Sequence, residues 1–400
     1  VNRPLIKLIL IVTTLSNLNG DRLADILSPV KQDIFNYQDK QNSLETDKLK
    51  RSWINPLRLR YSKNYSEQFG DDTTSTGSYA VVIDQPIFKS GGIFWSIKYA
   101  NTLKGANSLD IEIQRREMIG RAVQILFGIK QMRLKERKTK LLIINDEIDI
   151  KMKADSYSAG VLDSSFLDQA IIKRNADETS LLVLEMEREK LLSSFATLSD
   201  KNPNSFSVPK LTLLSKDLYK RDNLSLKSQK LRKDEKELLS KMVWSKYLPE
   251  VSLQGQYVDG DLNPLFQSPN IRESYVTYGL SVSMPISINS VDDIESSRVA
   301  FLEASSREID TKNSVNLEYD LIVKSLRILD KKIELDKKDE KLYKRLYTIT
   351  KNLAEAGEKT TYDVEIMRNS LEIKRLDQQI HQIDKQLQLL NMYIKVSSEI

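Results

Sequence analysis

There is no cysteine anywhere in the 400 residues. That absence excludes disulfides, thiolate metal sites and cysteine nucleophiles together. The single histidine, His381, falls on the polar side of its helix and reads as a surface residue rather than a catalytic base. No phosphate loop, Ser-His-Asp arrangement or metal-ligand cluster occurs, so the chain reads as a non-enzyme with no catalytic residue, no metal and no cofactor. Glycine (13) and proline (10) are few and aromatics make up 7%, a composition that leaves few breaks and favours helix. A dominant charge is missing too: 61 Lys plus Arg stand against 56 Asp plus Glu. Interspersed signs make a solvated surface and not a nucleic-acid patch. No apolar run approaches the roughly 20 residues a membrane-spanning helix needs.

What is present is dominated by two long uninterrupted stretches. Ser290 to Gly357 contains one glycine, at its end, and no proline. Ser290 with Asp293 predicts a capping box at its start, and Gly357 a terminator. Apolar residues recur at steps of three and four: Tyr319, Ile322, Leu326, Leu329, Ile333, then Leu342, Leu346, Ile349, Leu353. That is a coiled-coil-like seam. A helix of about 65 residues rises about 100 Å. Lysines and acids cover its other faces, so it stands in water. Gly92 to Tyr157 repeats the pattern, with Met118, Ala122, Ile125, Ile129 and Met132 on its seam and Gly160 beyond its end. The interval from Gly160 to Gly357 is close to that from Pro86 to Pro285, which points to an internal duplication.

The order of segments follows. Arg3 and Lys7 before Leu8-Ile9-Leu10-Ile11-Val12 predict a secretory signal over 1–20. The first repeat is expected over 21–208. It begins with a polar helix to Arg51, whose thin apolar side is Ile26, Val30, Ile34 and Leu44. Strands follow at about 57–66 and 78–87, separated by a turn over Gly70 to Gly77. A long helix at 92–157 and a return helix at 164–198 complete it. The second repeat is expected over 209–400. Its helix runs from Leu211 to Tyr247 with an interruption near Asp222-Asn223, and its strands lie at about 250–258 and 274–286. The long helix is at 291–356 and the return helix at 361–397.

The strands alternate apolar and polar residues over about ten positions, the length of a tilted bilayer-crossing strand. No amphipathic helix remains to cover the apolar face. An open sheet edge in lipid costs several kcal/mol per unpaired group, so the sheet must close. Four strands cannot close, and eight from two chains leave an interior filled by side chains. Twelve from three chains leave room for water, so a homotrimer is expected. Arg58, Arg60, Ser252, Gln254, Gln256, Thr277 and Ser281 then face the lumen, because an arginine on the lipid face costs about 2–4 kcal/mol at mid-depth. Lys63 has lipid-side parity and belongs near the outer rim, where it can snorkel.

These segments resemble the TolC-like outer membrane efflux protein family. Leu248-Pro249-Glu250-Val251-Ser252-Leu253 is similar to its helix-to-strand passage, with Asn55-Pro56-Leu57-Arg58-Leu59 as a twin. Gln85-Pro86-Ile87-Phe88 with Gly91-Gly92 is similar to its strand-to-helix exit, and Met284-Pro285-Ile286 matches more loosely. Ala356-Gly357 through Thr360, Asp363 and Val364 resembles the periplasmic hairpin tip, of which Ala159-Gly160 is a first copy. The resemblance covers nearly the whole chain after residue 20. It implies a mostly α protein with membrane β: a trimeric channel-tunnel with a shared twelve-stranded barrel continued by a helical barrel across the periplasm. Such a protein sits in the outer membrane lipid of a Gram-negative cell. It serves as the exit duct of a tripartite efflux pump or type I secretion system, reached through a periplasmic adaptor from an inner-membrane pump of RND or ABC type.

By the same resemblance, the tip carries the gate. Asp363 falls on the position of one ring aspartate, whereas the next aspartate of the family is Ile366 here. Lys359 lies where a latch arginine occurs. In the first copy Phe166 replaces the usual acid, with Asp163 and Asp168 nearby, and Gly160, Val161, Leu162, Gly357 and Glu358 stand where an adaptor makes contact. The other role open to Asp363 is to cap the return helix. The rival for the whole chain is a periplasmic coiled-coil adaptor or structural protein without a pore, which would show one hairpin flanked by soluble β domains.

Overall fold

The computed structural model describes residues 25–67, 73–260 and 274–397. The signal expected over 1–20 lies outside the described residues. Seven α-helices and four strands occur among them, in the order α1 (Pro29–Lys50), β1 (Arg58–Ser66), β2 (Thr74–Phe88), α2 (Gly92–Ser158), α3 (Ser164–Ala196), α4 (Lys216–Asp222), α5 (Leu224–Ser245), β3 (Glu250–Gly260), β4 (Ser274–Ser283), α6 (Ser290–Glu355) and α7 (Thr361–Ile394). The two long helices have 67 and 66 residues, about 100 Å each at ~1.5 Å per residue. Among the described residues no helix is long and apolar enough to cross a membrane.

Helix and strand order coincide. The strands form one antiparallel sheet in the order β1-β2-β3-β4. Each is continuous with one helix: α1 leads into β1, β2 into α2, α5 into β3, and β4 into α6. The helices pack in that same order, α1 on α2, α2 on α5, α5 on α6. Towards the opposite end the order is α3 on α2, α2 on α7, α7 on α6. Thus α2 and α6 run the full length while shorter helices meet beside them. The Ser28 amide donates to the Leu198 carbonyl at 2.9 Å where α1 meets the end of α3. Likewise Leu224 donates to Lys395 at 2.9 Å and Ser397 to Asp222 at 3.0 Å where α5 meets α7. The core sits at these junctions, with Ile26, Val123, Phe195, Tyr219, Leu390, Met392 and Val396 all essentially inaccessible. Burying one such side chain stabilises by about 1.5–3 kcal/mol.

Several local expectations are corrected. Ser290 and Asp293 form no capping box: Asn289 is the cap residue of α6, without a side-chain cap bond. The Asp293 carboxylate instead accepts from the Tyr247 hydroxyl, a partner 46 residues away in sequence. The turn expected to end at Gly77 ends earlier, because Thr74–Gly77 pairs with Lys63–Ser66. The fourth strand stops at Ser283, opposite Glu250, the first residue of β3. Among the described residues Met284 and the imino residue Pro285 have no strand partner beyond it. Residues 207–215 lie outside any helix, so helix begins at Lys216 rather than Leu211. The side of α1 carrying Val30, Ile34 and Leu44 is exposed, and Phe35, Asn42 and Thr46 are buried instead. Asn42 donates to the Lys104 carbonyl at 3.1 Å and to Ser108 at 3.0 Å, which holds a polar face against α2.

Candidate conduit lining and hairpin tips

Register places the polar strand residues in common rows. Directly paired residues of antiparallel strands point to the same face. One row contains Arg58, Val82, Gln256 and Thr277; the next contains Arg60, Ala80, Val258 and Tyr275. On the other side of the Arg58 row come Asp84, Gln254 and Gly279, then Pro86, Ser252 and Ser281. All seven residues expected on the lumen therefore share one face. The opposite face carries Leu59, Tyr61, Tyr79, Val81, Ile83, Leu253, Tyr257, Tyr278, Leu280 and Val282, and Tyr278 is 85% exposed within the single chain. Tyr61 and Tyr79 stack with centroids 4.8 Å apart. Lys63 shares this face opposite Gly77, its ammonium 5.4 Å from the Tyr65 ring centroid.

The strand-to-helix exit is tied by side chains of the motifs. Gln85 accepts from the Asn55 amide at 3.0 Å and donates to the Trp53 carbonyl at 3.1 Å, which binds the α1–β1 turn to β2. The register shifts between Pro86 and Phe88, as expected where proline removes a ladder donor. Ser90 then donates to the Pro249 carbonyl at 2.7 Å, and Lys89 pairs with Glu250 at 3.3 Å. The end of β2 is thereby held to the start of β3.

At the far end the two hairpins turn by the same set of bonds. Gly160 and Gly357 have φ of +73° and +78°, a left-handed conformation that glycine adopts without cost. The Val161 amide reaches the Ser156 carbonyl and the Glu358 amide the Leu353 carbonyl, both at 2.9 Å. These are the wrap-around bonds that satisfy last-turn carbonyls. Three residues after each glycine stands an N-cap. Asp163 accepts from the Ser165 amide at 2.8 Å. Thr360 accepts from the Asp363 amide at 3.2 Å while the Asp363 carboxylate accepts from the Thr360 amide at 3.0 Å, a full capping box. The Ser165 backbone N–H, followed by its hydroxyl, holds the Asp163 carboxyl below its ordinary value. The Thr360 backbone N–H does the same for Asp363, with Lys359 adding a smaller pull. Of the four gate candidates, Asp163 and Asp363 thus serve in helix caps. Asp168, Lys359, Glu358 and Val161 are exposed, and Leu162 is half-buried.

Between those helix junctions and the tips, the seams become polar. The three-four rhythm of α2 continues through Glu136, Thr139 and Asp146, all buried. Glu136 accepts from Arg188 of α3 at 2.7 Å, and Asp146 from Lys173. On α7 the rhythm extends back from Ile373 to the buried Asn369, which donates to Asn145 at 2.9 Å. On α6 it reaches Asp336, bonded to His381 at 2.7 Å. His381 is therefore an interhelical partner and not a free surface group. Desolvation pushes the Asp146 carboxyl up, against the pull of Lys173.

No family model and no curated protein matches the chain. Solved structures do. The Campylobacter jejuni CmeC outer membrane channel superposes with a TM-score of 0.74 at 14% identity, over 93% of this chain and 84% of that one. The outer membrane protein VceC of Vibrio cholerae gives 0.74 at 15%, over 94% and 95%. The open-state MtrE outer membrane channel of Neisseria gonorrhoeae gives 0.67 at 11%, over 93% and 87%. CmeC and MtrE are outer membrane channels. The chain has the fold of the TolC-like outer membrane channels.

Proposed function

We propose that three copies join flank to flank into a twelve-stranded barrel continued by a helical tunnel. The assembly is a passive exit duct in the outer membrane of a Gram-negative cell, projecting into the periplasm. One observation carries this reading: sheet and helices have their open sides on the same two flanks. One flank has the free edge of β1 with α1 and α3, each packed chiefly on α2. The other has the free edge of β4 with α6. Along α6, Leu321, Ile328, Leu335, Leu342 and Ile349 repeat every seventh residue and are 47–63% exposed. Lys324, Lys331, Lys338 and Arg345 follow the first four at three residues' distance. Such a seam on a folded chain needs a helical partner. The opposite flank offers exposed Ile172, Leu182 and Met186 on α3 with Glu178, Glu187 and Glu189 between and beyond them. Head-to-tail contacts of this kind close as a ring.

In the closed ring, the Arg58–Ser281 face is the lumen and the tyrosine-rich face meets lipid. The two halves, 21–208 and 209–400, arise by duplication; the paired junction bonds and tip turns support this. Asp363 and Lys359, with Asp163 and Asp168, line the periplasmic gate, and Gly160, Val161, Leu162, Gly357 and Glu358 meet a periplasmic adaptor. The adaptor connects the duct to an inner-membrane pump of RND or ABC type. Purified protein in detergent should sediment as a trimer and form ion-conducting pores in planar bilayers. A monomer that conducts nothing overturns the reading.

A further inference from the structure

We infer that the barrel section carries an anion-attracting collar made by Arg58 and Arg60. This rests on the closed duct proposed above. The two side chains are exposed on the polar face of β1, two residues and so about 7 Å apart. Among the described residues neither has an ion-pair partner. Their cross-strand neighbours are Val82 and Ala80, which supply no counter-charge. The other charged strand residues on this face are Asp84, one row away on β2, and Glu250, already paired with Lys89. Lys63 and Asp259 point to the opposite face.

The closing strand cannot neutralise the pair either. Whatever its register, the strand that abuts β1 in the ring is β4 of the next copy, and Ser274–Ser283 contains no charged residue. Two arginines against one aspartate leave one net positive charge per chain, and three chains place six guanidiniums around the lumen. Twelve strands spaced about 4.8 Å apart and tilted about 40° close at a backbone radius of about 12 Å. Side chains narrow this further, and the screening length at 0.1 M salt is about 10 Å, so the collar's potential reaches the axis. Guanidinium forks bind carboxylate and phosphate oxygens bidentately. The ligand class is therefore multivalent oxyanions, carboxylated or phosphorylated, whether as permeant cargo or as blockers.

The test uses the full-length protein in planar bilayers at 0.1 M KCl, with tripolyphosphate added on the side of the strand-to-strand loops. Wild type should be blocked, and Arg58→Gln/Arg60→Gln should raise the half-blocking concentration at least tenfold. Asp84→Asn should lower it severalfold. Arg58→Lys/Arg60→Lys keeps the charge and should retain most of the block, which separates loss of charge from a damaged barrel. Equal block in wild type and the glutamine double variant removes the collar while leaving the duct intact. Absence of any conductance removes both.

Discussion

Asn369 Nδ2 donates to Asn145 Oδ1 at 2.9 Å, and this bond joins α7 to α2 across 224 positions of sequence. Asn369 is buried, in a seam otherwise filled by Ile373, Leu376, Ile380 and Ile383. Replacing it alone leaves the Asn145 carbonyl oxygen without its partner, whereas replacing both leaves two apolar surfaces to meet. Asn369→Leu should cost about 1–3 kcal/mol, and Asn145→Ala/Asn369→Leu less than the sum of Asn145→Ala and Asn369→Leu. Urea unfolding of the four proteins measures this, and strict additivity would show that the bond carries no coupling.

The two tip glycines differ from core glycines in what they permit. A Cβ at Gly160 or Gly357 meets nothing within 4 Å, so space is not the constraint and positive φ is. Alanine there should cost about 1–2 kcal/mol of local stability. Gly357→Asn should cost less, since asparagine tolerates the left-handed region. At Gly120, by contrast, a Cβ would collide with the Ile394 side chain where α2 and α7 approach. Gly120→Ala should cost a similar or larger amount through overpacking. Amide exchange near each turn, compared with global unfolding, separates the two causes: tip variants speed exchange locally, and Gly120→Ala lowers the global midpoint.

Acid should fray the tips. Asp163 and Asp363 are held below the ordinary aspartate value of 3.8 by backbone N–H donors at Ser165 and Thr360. A depressed carboxyl contributes stability that is complete above its unfolded value and disappears as pH falls through the folded one. Exchange of the Ser165 and Thr360 amides, corrected for intrinsic rates, should therefore accelerate as pH drops below about 4. Asp163→Asn and Asp363→Asn should flatten that dependence at their own hairpin. Unaltered pH profiles in those variants would show that the carboxylates do not hold the caps.

The flank seam gives a test in which folding and assembly part company. Ile328 and Leu335 are 58% and 60% exposed in the single chain, so Ile328→Lys/Leu335→Lys should shift monomer stability by no more than about 0.5 kcal/mol per site. If α6 packs on a neighbouring copy, the same change buries lysines and should abolish the trimer. Sedimentation with circular dichroism decides: helical monomers are the expected result, and intact trimers would place the interface elsewhere.

How much of this was legible beforehand follows from the range of the physics involved. Alternation along Val251–Val258 and Val276–Ser283 showed which residues share a face, because pleating is local. Which strands adjoin, and that Arg58 stands level with Gln256 and Thr277, depends on pairing across some two hundred residues. Ser290 and Asp293 had the spacing of a capping box, and a tertiary partner, Tyr247, took the carboxylate. On α1, apolar Val30, Ile34 and Leu44 suggested a buried side, yet Asn42 wins that place through two hydrogen bonds to α2. Hydrophobicity reported a face needing cover without saying whether the same chain supplies it. The polar seam positions Glu136, Asp146, Asp336 and Asn369 escape a seam defined by apolar residues alone. The unbroken three-four count would have found them.

Asp146 is the sharpest of those seam residues. Its side chain is 4% exposed, and among the described residues its Oδ2 has no hydrogen-bond partner and its one cation is Lys173, 61% exposed. Burial raises the carboxyl while the hydrogen bond to Asp146 raises the Lys173 ammonium, so the two partners pull opposite ways on the ionised pair. Burial dominates at Asp146, since water screens much of the attraction of an exposed lysine. Asp146→Asn should then be neutral or stabilising at pH 7. Lys173→Met, which strands the carboxylate, should cost about 1–3 kcal/mol. A raised carboxyl contributes stability that is complete below its unfolded value of 3.8 and is lost as pH rises through the folded one. Lys173→Met should accordingly recover towards wild type on acidification from pH 7 to about 4, and the Asp146→Asn/Lys173→Met pair should show no such recovery. Thermal unfolding across that range measures both, and a deficit in Lys173→Met that stayed constant with pH would mean that the lysine acts by packing and not by charge.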